Sequence, residues 1–442
     1  MKTINDIRTS FHEAVSIVCS DPSVYAKSPH KDFSRNRKLP MESIVRFILS
    51  AHTESIPKEL LKFFKYDVHA PSASAFVQQR QKLKPQLFID LMQLFNRSLG
   101  TLPLYKGYRL LAADGSDIHY ATNPKEPENY FRVGDAYGYN LIHLNALYDI
   151  RSGIYTDAVI QMRRQWNEEA AAVEMIDRSD IPKAIVLMDR GYESYNVMAH
   201  IIEKGWAFVL RVRTDAKKGI AAPFKLPMDS LDKHVTLSLT RKQSNDTRAL
   251  LKDKEHYRLL IDASRFDYLP KKEGYKAPAR FYDISFRIVR FPITDDTYET
   301  ILTNLPEEVF PLDEIKRLYA MRWGIETSFR DLKYTTGMIA FHTKKTDCVM
   351  QEILAHMVVY NFCAIVTAIL DAEIEIRSKK GYRYKVNFST AVHLCRLYIS
   401  GDISPPVIKE LIKRETLPVR NDRKGQRRLS SKSAISFAYR LS

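Results

Sequence analysis

Three strand-like runs follow one another at short intervals from Tyr108, YRLLAADGSDIHY, YNLIHLNALYDI and GIYTDAVIQM, and after them helix and strand take turns. β-Branched and aromatic residues dominate these runs, as a half-buried pleated surface favours. The pattern then predicts a helix from Asn167 to Ile176, a strand from Ala184 to Met188, a helix from Ser194 to Lys204 and a strand from Ala207 to Val212. The middle of the chain is therefore predicted to be an α/β domain.

A second stretch, PLDEIKRLYAMRWGIETSFRDLKYTTGM from Pro311 to Met338, reads as one helix with two jobs. At about 100° per residue, Tyr319, Arg322, Glu326 and Lys333 share one arc, while Leu318, Met321, Ile325, Phe329 and Leu332 share its neighbour. The apolar stripe would dock on a core. The polar stripe would hold a carboxylate between two cations and a phenol, a set suited to a divalent metal and to phosphate oxygens. A solvated face, with Glu326 and Arg330 as an ordinary i,i+4 pair, is the competing reading.

At 442 residues the chain calls for more than one domain. Its formal charge of +16 is unevenly placed: net +7 over 1–106, −3 over 107–375 and +12 over 376–442. Basic flanks around a neutral-to-acidic middle suit a polyanion-binding protein whose central domain keeps carboxylates for metal. Cys19, Cys348, Cys363 and Cys395 show no CxxC spacing, so neither a zinc site nor a disulfide framework is predicted, and a reducing compartment is expected. No charged-then-apolar signal pattern opens the chain. The apolar run from Ile353 to Leu370 contains His356 and Asn361 and is bounded by Glu352 and Asp371, so it reads as a buried helix, not a membrane span.

Five segments follow from these shifts in texture. Residues 1–106 are helical, with a basic stretch KSPHKDFSRNRK that is either an arm on phosphates or a solvated linker. Within them, IPKELLKFF and SASAFVQQRQKL flank a break at His69 to Pro71, with Ser72 or Ser74 capping the second helix. Two short helices around a turn suit a helix-turn-helix-like unit whose Gln78, Gln79, Arg80 and Lys82 face outward to read DNA. A further helix from Pro85 to Leu99 closes this domain. Residues 107–215 and 296–375 carry the strand order expected of an RNase H-like α/β core. Residues 216–295, with VTLSLT, YRLLIDA and FYDISFRIVRF, form a β-rich insertion. Residues 376–442 are mainly helical and end in the basic run VRNDRKGQRRLSSKS.

Phosphodiester chemistry with two metal ions needs carboxylates that converge on the cations bridging nucleophile and leaving oxygen. Asp114 and Asp189 at strand ends, with Glu326 on the helix, could supply them. Asp117 rivals Asp114 but lies three residues on, across an extended strand. Gly115 favours Asp114, because a glycine beside a ligand admits close approach.

These residues resemble the DDE insertion-sequence transposases of the insertion-sequence-four type, bacterial cut-and-paste enzymes with an RNase H-like core. The matches are DGS at Asp114, DRGY at Asp189 and the spacing Y-x2-R-x3-E-x6-K at Tyr319, Arg322, Glu326 and Lys333. The family's β-strand insertion between the second and third acidic residues has its counterpart in the 136 residues between Asp189 and Glu326. The resemblance implies that Asp114, Asp189 and Glu326 are catalytic and hold Mg2+, with Mn2+ as a substitute. It implies that Arg322, Lys333 and Tyr319 grip the DNA backbone, with Arg330 beside them. The activity implied is end cleavage, a hairpin intermediate and strand transfer. The partners implied are double-stranded DNA, as terminal inverted repeats and target, and a second copy of the chain bridging two ends, in the bacterial cytoplasm at the nucleoid. One departure stands out: family members often stack a tryptophan of the insertion on a flipped base, whereas Trp166, Trp206 and Trp323 all lie outside 216–295, so the stacking residue is left open, with Tyr298 as one candidate. An RNase H-like nuclease without strand transfer, and a non-catalytic DNA-binding descendant, are the competing functions.

Overall fold

Along Arg109–Tyr120 (β1), Leu110 to Ala113 are buried on both faces of the strand, whereas Asp114, Gly115 and Ser116 are only half-buried. A strand so apolar needs cover on two sides, and the fold supplies it. The chain is seen in a computed structural model that describes residues 2–35, 38–132, 134, 138–213, 219–271, 278–294, 297–375 and 384–419. Apart from Val419, the basic run VRNDRKGQRRLSSKS lies outside the described residues.

β1 pairs antiparallel with Tyr139–Asp149 (β2), which pairs antiparallel with Ile154–Met162 (β3). On its other side β1 runs parallel to Ala184–Met188 (β4), and β4 parallel to Ala207–Arg211 (β5). Crossovers between parallel strands need a helix. Glu168–Arg178 (α6) lies between β3 and β4, and Tyr195–Glu203 (α7) between β4 and β5. The five strands stand in the spatial order β3-β2-β1-β4-β5.

The inserted segment extends this same sheet. Leu231–Thr240 (β6), Tyr257–Leu259 (β7) and Tyr282–Thr294 (β8) reach β5 through Thr297–Thr303 (β9), in the order β5-β9-β8-β6-β7. The β-strand character expected of 216–295 is present, as an extension of the core sheet.

Odd residues of β1, Leu111 and Ala113, pack with α6 and α7 in one apolar cluster. Even residues face the other way, Leu110 towards Ile315 and Leu318 of Leu312–Met321 (α8), and Ala112 towards the cluster containing Thr346–Glu375 (α10). The period of two thus places Asp114 on the face of α8 and Gly115 on the face of α6. The apolar stretch of α10 is 72% buried, packed by Ile4–Cys19 (α1), Met41–Ser50 (α2), Gln86–Ser98 (α5) and Phe388–Ser400 (α11). It is a core helix, as its His356 and Asn361 suggested; Asn361 bonds both the backbone N–H and C=O of Tyr155 on β3.

Three sequence expectations need correction. Asp114 does not end its strand: β2 pairs with β1 as far as Tyr120, and it is β4 that stops, at Met188. The helix expected over 311–338 breaks in two, α8 and Trp323–Arg330 (α9), and ends in a π turn over Asp331–Thr335. At the break, the N–H groups of Arg322 and Ile325 bond carbonyls three residues back, a locally tighter winding. Arg80 does not face outward. It ends Ala73–Arg80 (α4) buried, with Nη1 2.7 Å from Glu352 and Nε 2.8 Å from Gln351, and it also donates to the carbonyl of Cys348. The reason is packing: α4 follows Ile56–Phe63 (α3) and rests its C-terminal end on α10.

Candidate active site

Register decides where the first two acids sit. Ala113 is level with Met188 across the parallel β1/β4 pair, so the next residues, Asp114 and Asp189, leave neighbouring strands side by side. Adjacent strands lie about 4.8 Å apart. The third acid arrives from the helix above. Arg322 is its link: Nη2 donates to Glu326 Oε1 at 2.8 Å, and Nη1 lies 3.6 Å from Asp114 Oδ2. Asp189 is approached from two other sides, by the Tyr319 hydroxyl at 3.4 Å and by Arg211 at 3.7 Å. Arg211 also reaches Glu299 at 3.4 Å.

Lys333, carried by the π turn, donates to Ser116 Oγ at 2.8 Å and to the carbonyl of Asp117 at 2.7 Å. It therefore fastens the strand segment just past Asp114. Tyr319 stands beside Asp189, Arg322 joins Glu326 to Asp114, and Lys333 reaches Ser116 and Asp117, so the four residues of the spacing meet the cluster from two helices and a π turn rather than from one helical arc. Arg330 stands mostly in solvent, 3.8 Å from Asp331. Of the four residues expected to read DNA from α4, Gln78 is exposed, Gln79 accepts from Lys82 at 3.1 Å, and Arg80 is buried. Tyr298 is tied down, its hydroxyl donating to the Met228 carbonyl at 3.0 Å.

Burial pushes the Asp114 carboxyl up to about 6, against the pull of Arg322 and of the Gly115 N–H that it accepts at 2.9 Å. Burial opposes the charge on Arg322 too, yet its anionic surroundings, Asp114, Asp189 and Glu326 among them, hold its guanidinium above the ordinary range. The cluster thus gathers four carboxylates, Asp114, Asp189, Glu299 and Glu326, around the two guanidinium groups of Arg322 and Arg211.

Carboxylate oxygens are the donors that Mg2+ and Mn2+ accept, and a buried acid that resists ionising is one that gains from a nearby dication. The Tyr192 hydroxyl and Arg322 Nε are buried without hydrogen-bond partners among the described residues. The donor set and the charge therefore fit a divalent cation. As the side chains stand, no three His, Cys, Asp or Glu groups among the described residues close on one point, with the Arg322 guanidinium lying between Asp114 and Glu326.

The model of the transposase DDE domain matches residues 105–362, more than half the chain. The chain belongs to the transposase DDE domain family. This DDE domain takes in Asp114, Asp189, Glu326, Tyr319, Arg322 and Lys333 and leaves out all of α4. Among solved structures, a piggyBac transposase synaptic complex with hairpin DNA is similar over 98% of this chain and 86% of that one, at 10% identity and a TM-score of 0.43. No curated protein matches the chain.

Several residues at this cluster escaped the sequence. Arg211 and Glu299 sit on strands far apart in the chain and meet only because β5 pairs with β9. Tyr192 belongs to DRGY, and that motif was the one signal pointing to it. Asp117, the rival acid, faces away from Asp114 and pairs with His143 at 2.8 Å. Gly115 earns its place sterically: a Cβ there would lie 2.3 Å from His143 Nε2 and 2.8 Å from Glu168 Oε1. Gly115→Ala is expected to destabilise the chain by about 1–3 kcal/mol through this overpacking. Urea denaturation measures it, and an unchanged midpoint would mean that the imidazole yields freely.

Proposed function

We propose that this chain is a cut-and-paste transposase of the insertion-sequence-four type, acting on the ends of an insertion sequence with Asp114, Asp189 and Glu326 as its metal-holding triad. The observation that carries the reading is their placement: two aspartates that follow the level pair Ala113 and Met188 on adjacent parallel strands, and a glutamate joined to the first of them through one arginine. The order β3-β2-β1-β4-β5, with three antiparallel strands leading into a parallel pair, supports an RNase H-like core made from 107–215 and 296–375, with 216–295 as its insertion and 1–106 and 376–442 as flanking domains.

Bound Mg2+ supplies Lewis acidity at the scissile phosphate and a water of lowered pKa. The protein's own groups have separate tasks in this reading. Asp114, Asp189 and Glu326 offer the oxygens. Arg322, which joins Asp114 to Glu326, would offer its guanidinium to a phosphate oxygen of the cleaved end, and Lys333 and Tyr319 would hold the backbone on either side. The freed 3′-hydroxyl then attacks a phosphodiester of the opposite strand, and the hairpin forms as that bond breaks and the flanking strand leaves with its own 3′-hydroxyl; water opens the hairpin before strand transfer into target DNA by a homodimer bridging two ends. Trp166 and Trp323, both substantially exposed, replace Tyr298 as aromatic candidates for stacking on a base.

Linear duplexes carrying the inverted repeats that flank the gene, incubated with the full chain and Mg2+, test the reading. Joined and hairpin-ended products are expected. Cut products alone would make the protein a nuclease, and retarded but uncut DNA would make it a binder. Arg322→Ala is expected to lower the slope of log K against log salt for end binding by about one, the loss of a single phosphate contact. An unchanged slope in electrophoretic titrations would leave Arg322 as a structural partner of the acids alone.

A further inference from the structure

The two glycines of the acidic motifs, Gly115 after Asp114 and Gly191 in DRGY, face one and the same side chain. A Cβ at Gly115 would lie 2.8 Å from Oε1 of Glu168, and a Cβ at Gly191 would lie 3.0 Å from Oε2. Glu168 opens α6 on the sheet face opposite Asp114, and its carboxylate fills the window that the missing side chains leave at the end of β4.

It is held there. His143 on β2 is buried, with Nδ1 2.8 Å from Asp117 and Nε2 3.0 Å from Glu168, and the Trp166 ring packs edge-on against the imidazole at 4.5 Å. Burial disfavours the imidazolium, but the two carboxylates prevail and hold His143 above its ordinary range. Asn167 caps the helix by accepting the Ala170 N–H at 2.9 Å, which fixes the direction in which Glu168 leaves.

Glu168 also bears on the cluster across the sheet. Its charge is among those that raise the Asp114 carboxyl. Beside both stands Tyr192, 1% exposed, whose hydroxyl has no hydrogen-bond partner among the described residues and feels the charges of Asp114, Glu168, Arg322 and Asp189. A buried hydroxyl left without a partner is unfavourable, so its placement in a charged cluster points to a ligand that completes it.

We propose that Glu168 is a fourth carboxylate of the divalent-cation site, held by His143 and Asp117 and acting on the site through the gap left by Gly115 and Gly191. This rests on the metal-holding role given to Asp114, Asp189 and Glu326. It assigns α6 a functional residue that lies in none of the acidic motifs, and it gives both motif glycines a shared purpose.

Mn2+ binding to the full chain without DNA, followed by the loss of the free-ion electron paramagnetic resonance signal, tests the proposal independently of activity. Glu168→Gln keeps the shape of the side chain and removes its charge. It is expected to weaken Mn2+ binding ~5–10-fold, as loss of one nearby anion should, with a melting temperature in EDTA close to that of the unaltered chain. Glu174→Gln, on the exposed side of the same helix, is expected to bind as the unaltered chain does. Should Glu168→Gln fold poorly, Glu168→Asp, which withdraws the charge by one methylene, carries the test with a smaller loss expected. Unchanged Mn2+ affinity in a folded Glu168 variant, with affinity lost in Asp114→Asn, would overturn the role of Glu168 while sparing the triad. Unchanged affinity in both would overturn the triad as well.

Discussion

Glu326→Gln is expected to lower end cleavage ~10³-fold or more while leaving DNA binding within about twofold of the unaltered chain. The amide keeps the size of the side chain and one hydrogen-bond acceptor for Arg322 Nη2, now 2.8 Å from Glu326 Oε1, so the polar side of α9 should persist. What goes is one negative charge among the acids that gather round Arg322. A thousandfold loss corresponds to about 4 kcal/mol of transition-state stabilisation, the scale reached when one preorganised electrostatic contact is removed. Binding is carried by phosphate contacts from basic groups, which the substitution does not touch. Gel-based cleavage and filter binding on one labelled duplex separate the two quantities. Cleavage within tenfold of the unaltered chain would remove Glu326 from the catalytic set, and lost binding would show that its first role is to order Arg322.

The second large effect is one of stability. Arg80→Ala is expected to cost about 3–5 kcal/mol, because it takes from the buried Glu352 its nearest cation and leaves, among the described residues, only His342 beside it. The side chains of Arg80 and Glu352 are 4% and 5% exposed, and α4 meets α10 through this pair and through Gln351. His342 joins the cluster, 3.2 Å from Glu352 and 3.3 Å from Glu59. Such a cost is a large part of the 5–15 kcal/mol that a folded domain commands. Urea denaturation measures it. A change under about 1 kcal/mol would mean that water or a neighbour takes over the charge. Replacing both partners with apolar residues should return much of the loss, since the pair's desolvation goes with it.

The same cluster fixes a pH dependence. Burial works against the Glu352 carboxylate, but Arg80 and His342 outweigh it and hold the group down to about 2, so its stabilisation is present above its ordinary 4.5 and is lost as pH falls towards 2. Burial likewise opposes the His342 imidazolium, yet Glu352 and Glu59 hold it above 6.5; its contribution is complete below 6.5 and is lost as pH rises through the higher folded value. The cluster should therefore stabilise the fold most between about pH 4.5 and 6.5.

How far the sequence reaches follows from what each residue's role depends on. The strands around Asp114 and Asp189 were legible because Ala184 to Met188 and Leu110 to Ala113 are apolar at every position, which local composition records. The grouping of Tyr319, Arg322 and Glu326 was legible because it repeats within one helical stretch. The break at Arg322 and the π turn at Asp331 to Thr335 were not: Gly324 after the break and Asp331, Tyr334 and Thr335 in the turn favour a helix weakly, but the apolar stripe from Leu318 to Leu332 runs through both and hides them. Arg80 was misjudged for a related reason. A polar side chain at the end of a short helix gives no sign of the buried glutamate that meets it 272 residues later in the chain. Glu168 in a first helical turn looks like any acid favoured by the helix dipole. The two glycines that face it, Gly115 and Gly191, give it another meaning.

The central claim is that Asp114, Asp189 and Glu326 share a divalent cation. Crystals of the full chain grown with Mn2+, measured for anomalous scattering at the manganese edge, test it most directly. The expected result is a peak bounded by the carboxylates of Asp114, Asp189 and Glu326, with the Arg322 guanidinium turned out of the space between Asp114 and Glu326. A peak elsewhere, with Arg322 still joining Asp114 to Glu326, would contradict it.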